Sequence, residues 1–409
     1  MNQKQLVVVI GGGAAGYFAA ISVASQYPNT EIIILEKSLQ VLGKVKVSGG
    51  GRCNVTNGSK SINELAKGYP RGEKFLKNLF QKFNNQDTIK WFENRGIKLK
   101  TEADGRVFPT TDSSQTIIDC LVDECHKLGI SVRNGDGAKT INVNEDGKIT
   151  VNALISKTLV ADKVIVCSGG SSQKNSYQWI ENLGISISEP LPSLFTFNSP
   201  SSYLNPLMGT SLKNVRVKIL GTNFNFEGPI LITHWGFSGP AILKLSAFAA
   251  KELASKQYQF NISINWLPQF TDEKLKIFLL DYIKKNPKKQ VQNCPFDEIS
   301  NRLWTALLEN LTISPNQIWS EINHKNLNKL INELVNSIFE INGKTTFKEE
   351  FVTCGGVKLS EINPNTLASN LYKNLYFAGE VLDIDGITGG YNFQAAWTTG
   401  YLAGQLLGI

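Results

Sequence analysis

The chain has 409 residues, of which 42% are hydrophobic and 19% are charged, and its net charge is +7. These values are typical of a globular protein and exclude a disordered chain, and at about 150 residues per domain the length predicts two or three domains. Six cysteines without a CxxC pair and three histidines argue against a disulfide scaffold and against a metal centre.

The N-terminal residues do not resemble a secretion signal. The apolar run Leu6–Ile10 is followed at once by three glycines, whereas the hydrophobic part of a signal needs about 7–15 apolar residues. No window of the sequence reaches the roughly 18 apolar residues of a membrane span. We therefore expect a cytoplasmic protein with reduced thiols and no membrane partner.

The first 36 residues predict a strand, a helix and a second strand. Leu6–Ile10 and Glu31–Leu35 are apolar runs rich in β-branched residues, as buried parallel strands are. Ala14–Ser25, between them, is alanine-rich and has helical periodicity. This order is typical of the beginning of a Rossmann-like α/β domain.

A glycine motif, Gly11-x-Gly13-x-x-Gly16, lies between the first strand and the helix. Its glycines permit a tight turn, close approach of a pyrophosphate and close helix–strand packing, and the helix N-terminus offers N–H donors. Glu36 ends the second strand 20 residues after Gly16, where a carboxylate can bind ribose hydroxyls. The combination predicts a dinucleotide site, and Glu36 favours FAD or NAD over NADP.

The α/β pattern continues to about residue 190. Helices are predicted at Lys74–Asn94 and Thr116–Leu128, a strand at Ile130–Val132, a hairpin at Lys139–Ser156 and a buried strand at Ala161–Cys167.

The composition shifts near residue 190. Residues 191–265 carry short alternating runs that predict a β-rich insertion, and residues 266–345 have helical periodicity. From Phe351 the glycine-rich α/β pattern returns. We therefore predict a discontinuous α/β domain, residues 1–190 plus 346–409, interrupted by these two insertions.

Positive charge is concentrated between Lys44 and Lys100, where 13 basic residues face 4 acidic ones. A basic segment near a catalytic motif can steer a polyanion. On charge alone, the favoured interpretation is a solvated surface that also helps to hold a cofactor pyrophosphate.

A flavin is favoured over a nicotinamide by the segment after the second strand. Gly43–Asn54 is long, glycine-rich and without apolar anchors, so we expect it to fold around a ligand such as a flavin. Two later predicted strands end in Ser168–Gly170 and in Gly379-Glu380, which permit close approach of a cofactor and can hold a ribityl hydroxyl. No second GxGxxG motif occurs, so NAD(P)H is expected only as a transient electron donor.

Four segments together resemble the YhiN/BaiN/RdsA-type family of FAD-dependent oxidoreductases. They are GKVKVSGGGRCNVTN from Gly43, THWGFSGPA from Thr233, TCGGV from Thr353 and GEVLDIDGITGGYNFQ from Gly379. The resemblance covers nearly the whole chain. It implies a Rossmann-like FAD-binding domain of the glutathione-reductase type, interrupted by a β-barrel-like and a small helical insertion.

The resemblance also implies which residues bind FAD. The glycine motif and Glu36 would hold the pyrophosphate and the adenosine ribose, and Ala138 would meet the adenine. The helix that begins near Gly390 would favour the anionic reduced flavin through its N-terminus. The implied cofactor residues are Gly11, Gly13, Ala14, Ala15, Gly16, Glu36, Lys37, Lys44, Ser48, Gly49, Arg52, Cys53, Asn54, Ala138, Ser168, Gly169, Gly170, Gly379, Glu380, Asp385, Gly390, Asn392, Phe393 and Gln394.

Three residues are candidates for catalysis: Cys53, His234 and Arg52. A positive neighbour such as Arg52 can lower the pKa of the Cys53 thiol, although a packing role is favoured for this cysteine. His234 lies at the junction after a predicted strand, where a hydrogen-bonded structural histidine is the favoured interpretation. The family resemblance makes Cys53 and His234 stronger candidates for the proton donor.

The resemblance implies flavin-dependent reduction of conjugated C=C bonds. Uridine of large-subunit ribosomal RNA, reduced to dihydrouridine, is the preferred substrate, because the basic segment suits a phosphate-rich partner. Three alternatives stay open: a reductase of small-molecule enones such as steroids, a flavin oxidase of small amines or hydroxy compounds, and a non-catalytic flavin-binding module. The sequence does not indicate an oligomeric state.

Overall fold

The structure of the chain is a computed structural model that describes residues 4–345 and 352–406. The chain forms two compact units: Met1–Ser193 with Lys348–Ile409, and Leu194–Phe347. The finer division of the inserted segment into a β-rich and a helical part, with the boundaries given above, remains a prediction.

The first unit begins with alternating strands and helices. In chain order its elements up to residue 193 are β1 (Leu6–Ile10), α1 (Ala14–Gln26), β2 (Glu31–Glu36), α2 (Gly43–Gly51), β3 (Thr56–Asn57), α3 (Ile62–Ala66), α4 (Glu73–Leu79), α5 (Asn85–Glu93), β4 (Leu99–Thr101), β5 (Arg106–Pro109), α6 (Ser114–Lys127), β6 (Ser131–Asn134), β7 (Ala138–Val143), β8 (Ile149–Ala153), β9 (Leu159–Ala161), β10 (Lys163–Val166), α7 (Gln178–Glu181) and β11 (Ile187–Ser193).

The second unit is richer in β-structure, and the chain then returns to the first. The elements of the second unit are β12 (Thr196–Asn198), β13 (Ser211–Ile219), β14 (Asn225–Thr233), β15 (Gly236–Ser238), α8 (Pro240–Phe248), α9 (Ala250–Ser255), β16 (Gln259–Asn265), α10 (Asp272–Lys285), α11 (Asn301–Asn310), α12 (His324–Asn336), β17 (Ser337–Asn342) and β18 (Lys344–Thr345). The first unit is completed by β19 (Val352–Val357), β20 (Leu375–Phe377) and α13 (Tyr391–Ala403).

A five-stranded parallel sheet lies at the centre of the first unit, with the order β20–β10–β1–β2–β6. The middle strand β1 has the sequence LVVVI, and Val7, Val8 and Val9 have no exposed surface. Burial on both faces is the reason that such a strand is apolar throughout. The order brings the carboxyl ends of β1, β10 and β20 side by side, the usual ligand edge of a parallel sheet.

The single helix predicted at Lys74–Asn94 is in fact two helices, α4 and α5. The side chain of Asn84 accepts a hydrogen bond from the Gln86 N–H, and Asp87 accepts one from the Asn84 N–H. This capping box begins α5. The apolar spacing that predicted one helix continues across the break, because both helices bury their apolar faces in the same core.

A seven-stranded antiparallel sheet forms the second unit, with the order β17–β16–β13–β14–β15–β12–β18. The two strands that end this order, β17 and β18, are consecutive in the chain and separated only by Gly343. Residues 337–345 therefore pair with β16 through their first part and with β12 through their last. The antiparallel insertion is confirmed, and this closure makes it barrel-like.

Helices α10, α11 and α12 share a hydrophobic core with that sheet. Leu279, Trp304 and Leu330 of the helices belong to the same buried cluster as Val217 and Ile262 of the strands. Within residues 4–345 and 352–406, none of the helices has the length and hydrophobicity that crossing a bilayer requires.

Candidate functional site

The glycine motif forms a turn that requires glycine at two positions. Gly11 has a φ of +112°, and a Cβ there would lie 2.2 Å from the carbonyl oxygen of Cys167. A Cβ on Gly16 would lie 1.9 Å from the carbonyl oxygen of Gly11, so α1 packs directly against the turn. At Gly13 a Cβ would meet no described atom within 4 Å. The N-terminus of α1, which no side chain caps, is therefore open to an anion.

Glu36 lies beside this turn at the carboxyl end of β2. Its carboxylate accepts hydrogen bonds from the N–H groups of Gly12 and Ser38, each at 2.7 Å. An ionised carboxylate can accept about four hydrogen bonds, so roughly two positions are left for ribose hydroxyls. This geometry supports the ribose role of Glu36, which remains a proposal.

The glycine-rich segment after β2 holds itself by internal hydrogen bonds. Its first residues form a helical turn of α2, and the helical geometry breaks at Ser48, after which Gly49 has a φ of +58°. The Ser48 hydroxyl donates to the Val45 carbonyl at 2.9 Å, and the Cys53 N–H donates to the Ser48 carbonyl at 3.0 Å. These bonds order the segment itself, and the expectation that it folds around a flavin remains a proposal.

Cys53 and Arg52 do not interact as expected. Cys53 is fully buried, and burial raises the pKa of its thiol to about 12. The expectation that Arg52 lowers this pKa is wrong, because the guanidinium of Arg52 bonds to Glu102 at 2.8 Å and lies 3.5 Å from Asp112. It also lies 3.9 Å from the ring centroid of Phe108. The thiol stays protonated at neutral pH, so the geometry supports packing as the role of Cys53.

The ends of β10 and β20 meet around the side chain of Glu380. Its carboxylate accepts a hydrogen bond from the Thr353 N–H at 2.9 Å and forms an ion pair with Lys44. A Cβ on Gly170 would lie 2.8 Å from that carboxylate, and a Cβ on Gly379 would lie 2.7 Å from a side chain of α1. Glycine at both positions therefore allows the strand ends, the carboxylate and α1 to lie close together.

The N-terminus of α13 lies beside the glycine-rich segment. Gly390, which precedes the helix, has a φ of +91°, and a Cβ there would lie 2.3 Å from the backbone of Thr56. The amide of Asn54, oriented to satisfy both groups, donates to the Thr56 carbonyl and accepts from the Gly390 N–H, each at 3.0 Å. The fully buried Gln394 accepts a hydrogen bond from the Thr56 hydroxyl. Asn54 and Gln394 thus hold the start of α13.

The loop before α13 contains Asp385, whose side chain has no exposed surface. Its carboxylate pairs with the guanidinium of Arg71 and accepts a hydrogen bond from the Ser193 hydroxyl at 2.7 Å. Desolvation raises the pKa of Asp385, and the charge of Arg71 opposes that rise. Asn392 binds both backbone groups of Gly386, at 2.8 and 2.9 Å. Asp385 and Asn392 therefore both fix the shape of this loop.

The structure also locates the remaining residues that the resemblance implies for cofactor binding. A Cβ on Gly137, just before Ala138, would lie 2.6 Å from the Cβ of Lys37, so the start of β7 approaches the end of β2. Ser168 and Gly169 follow β10 after Cys167, and the ring of Phe393 stacks on a tryptophan of α13 at 5.7 Å.

His234 belongs to the second unit, at the turn between β14 and β15. The residue is exposed, and its ring packs edge-to-face against Trp235 with 4.2 Å between ring centroids. The indole of Trp235 donates to the Thr196 hydroxyl at 3.2 Å. This hydrogen bond holds in place the indole against which the His234 ring packs. Its role as a proton donor remains a proposal.

Thr353, Thr56 and Arg71 are among the residues of the site that were not predicted. Thr353 and Thr56 stand inside segments that carried the family resemblance, so the sequence contained a signal for both. Arg71 belongs to no motif and is 314 residues away from its partner Asp385, so only the fold brings this pair together.

The residues assembled here fit a flavin dinucleotide. The open N-terminus of α1 suits a pyrophosphate, and the ends of three parallel strands meet beside it. The hydroxyl of Thr353, next to Glu380 and Gly170, is fully buried and finds no hydrogen-bond partner among the described residues. In the described part of the chain, no group of His, Cys, Asp or Glu side chains is suited to a metal ion.

Comparison with known proteins gives matches along nearly the whole chain. The family model described as HI0933-like protein Rossmann domain matches residues 5–406. The ribosomal RNA dihydrouridine synthase of Escherichia coli is 29% identical over 408 residues, which cover 97% of this chain and 96% of that protein. The 3-dehydro-bile acid delta(4,6)-reductase of Clostridium scindens is 27% identical over 405 residues, or 97% of each chain.

Among solved structures, the chain is similar to the 3-ketosteroid-delta4-(5alpha)-dehydrogenase of Rhodococcus jostii RHA1. The TM-score is 0.52 at 12% sequence identity, with 100% of this chain and 97% of that chain covered. At this identity the likeness shows a shared fold alone.

Proposed function

The chain belongs to the HI0933-like Rossmann-domain family, and from this premise we propose that it reduces uridine in large-subunit ribosomal RNA to dihydrouridine. It is an FAD-dependent oxidoreductase of the kind that acts on C=C bonds, and the relatives named above are a dihydrouridine synthase and a bile acid reductase. The observation that carries the proposal is the group of residues at the ends of β1, β2, β10 and β20, where Glu36 and Glu380 are held in place by neighbouring groups.

The reaction requires a hydride, a proton and a site that holds the uracil ring. FAD, when bound and reduced, would supply the hydride. The C5=C6 bond of uracil is conjugated to the C4 carbonyl, so the hydride adds to C6 and a proton adds to C5. We propose NAD(P)H as the source of electrons. The sequence has no second GxGxxG motif, so we expect NAD(P)H to bind only transiently.

Uncompensated positive charge favours RNA over an uncharged enone. The arginines of the Lys44–Lys100 segment, which are Arg52, Arg71 and Arg95, each pair with a carboxylate. Many lysines of that segment are exposed and form no ion pair among the described residues, and a phosphate backbone is the natural partner for such charge. These lysines are Lys46, Lys60, Lys67, Lys74, Lys77, Lys90 and Lys98.

A small-molecule enone reductase is the second candidate. The observation in its favour is the bile acid reductase, which is 27% identical, against 29% for the dihydrouridine synthase. Sequence identity therefore does not decide which of the two substrates this chain reduces. The reaction does not decide it either, because in both cases hydride adds to the β-carbon of an enone and a proton adds to its α-carbon.

His234 is our proposed proton donor. The expected result is that His234→Asn lowers turnover of ribosomal RNA by about 10²–10⁴-fold while FAD content stays constant, since positioned general acids contribute about this much. His324→Asn is the matched control, because His324 is also an exposed histidine of the second unit. If His234→Asn turns over as fast as the control, His234 is not the acid.

The proposal is tested directly on reduced holoprotein without oxygen. The flavin is reduced with dithionite and mixed with protein-free large-subunit ribosomal RNA from cells that lack the gene. We expect flavin reoxidation together with dihydrouridine in the RNA. Reoxidation by an added steroid enone but not by RNA supports the second candidate. The oxidase is tested separately in air with the oxidised holoprotein, where an added amine would reduce the flavin and oxygen would reoxidise it with release of peroxide. A flavin that neither RNA nor the enone reoxidises, and that no amine reduces, indicates a binding module.

A further inference from the structure

Residues 57–72 lie along the loop that leads into α13. The Asn57 side-chain amide donates to the Gly389 carbonyl at 3.1 Å, and the Tyr69 hydroxyl donates to the Tyr391 carbonyl at 2.7 Å. The segment is therefore bound both to the end of the loop and to the first residue of α13.

The same segment also contacts the first residues of that loop. Arg71 pairs with the buried Asp385, and their backbones form an isolated β-bridge. Gly72 has a φ of +84°, and a Cβ there would lie 2.8 Å from the side chain of Ile384. The position of this segment is thus fixed relative to the part of the site that we propose for the flavin ring.

Four exposed lysines lie in or directly after this segment: Lys60, Lys67, Lys74 and Lys77. Lys74 and Lys77 are three residues apart on α4, so they lie on the same face of that helix. None of the four forms an ion pair among the described residues. We call these four residues the lysine surface.

The charges around the lysine surface leave it positive. Glu64 and Glu73 are the acidic residues between positions 60 and 77, and both are exposed. Arg71 is neutralised by Asp385, so the stretch keeps four lysine charges against two glutamate charges, a balance of +2. Lysines on flexible stems suit phosphates as point charges, and they need no fixed geometry to do so.

A uridine inside folded RNA must leave its stack before an enzyme can reach it. Once the base has entered the site, its flanking phosphates remain outside it. We propose that the lysine surface binds these phosphates and so docks the RNA strand beside the flavin site. This inference rests on the proposed function in RNA.

The experiment compares two triple charge reversals in the holoprotein. K67E/K74E/K77E changes the lysine surface, and K276E/K284E/K288E makes the same change of charge at exposed lysines of the second unit that likewise form no ion pair among the described residues. Binding of protein-free large-subunit ribosomal RNA is measured at several salt concentrations. FAD content and melting temperature verify that each variant is folded.

We expect the first variant to bind RNA at least about tenfold more weakly than the second. The slope of log affinity against log salt should fall by about 2, because each lost phosphate contact on a single strand removes ~0.7. Equal affinities and slopes for both variants overturn the lysine surface while leaving RNA as the substrate. If the wild-type protein neither binds nor modifies the RNA, the proposed function and this inference both fail.

Discussion

At the scale of single residues, two carboxylates of the site are held in place by neighbouring side chains and a backbone N–H group. Lys44 and the Thr353 backbone orient Glu380, and Arg71 with Ser193 orients Asp385. We therefore propose that Lys44 acts on the cofactor through Glu380 rather than by its charge alone.

Lys44→Met should weaken FAD binding about fivefold. The Lys44 side chain is 53% exposed, and a partly exposed ion pair contributes up to about 1 kcal/mol. Lys44→Arg keeps the charge and is the control, with affinity close to that of the wild type. The measurement is FAD titration of the apoprotein by fluorescence. Equal weakening in both variants would show that the charge at this position does not act through Glu380.

Cys53 is expected to resist alkylation in the folded protein. Because the folded pKa of about 12 lies above the value of about 8.5 for a free thiol, folding favours the protonated form. Its contribution to stability is complete below pH ~8.5 and is lost as the pH rises through the folded value. Iodoacetamide labelling at pH 8, read by peptide mass spectrometry, should modify Cys53 only after unfolding in urea. Rapid labelling of the native protein contradicts a packing role.

At the scale of elements, the start of α13 is the most constrained junction of the site. Gly390 combines a positive φ with direct backbone contact to Thr56, and Asn54 bridges the two. The sequence predicted this helix start by family resemblance, but it contained no indication that β3 supports it, because that contact joins residues more than 330 positions apart.

Gly390→Ala should destabilise the holoprotein more than Gly96→Ala. Gly96 also has a positive φ, +82°, but a Cβ there would meet no described atom within 4 Å. Both substitutions cost about 1–2 kcal/mol of backbone strain, and the clash at Gly390 adds about 1–3 kcal/mol. Urea unfolding measures the difference. Equal losses of stability would mean that the contact between Gly390 and Thr56 does not constrain the helix.

Local patterns predicted the type of most elements but not their limits. The β1–α1–β2 opening is confirmed, because buried strands and an alanine-rich helix have distinct periods. The break between α4 and α5 was missed, although Asn84 and Asp87 form the capping signal, because the apolar period continues across it. The closure of the second sheet through Gly343 was predicted only by resemblance, since no local pattern records which distant strands pair.

At the scale of the whole molecule, an FAD-type domain and a barrel-like unit share one chain. The glycine motif and the strand ends that predicted the flavin are local features, whereas the loop contacts of Arg71 and the lysine surface depend on the assembled fold. Composition alone suggested solvated charge between Lys44 and Lys100. The structure adds that the arginines there pair with acids while most of the lysines do not.

The central claim is that this protein makes dihydrouridine in large-subunit ribosomal RNA. It is tested most directly by nucleoside mass spectrometry of that RNA from cells with and without the gene. The account predicts that the deletion loses a dihydrouridine and that the wild-type gene restores it. An unchanged dihydrouridine content in the deletion would contradict the claim and make the small-molecule enone reductase the better account.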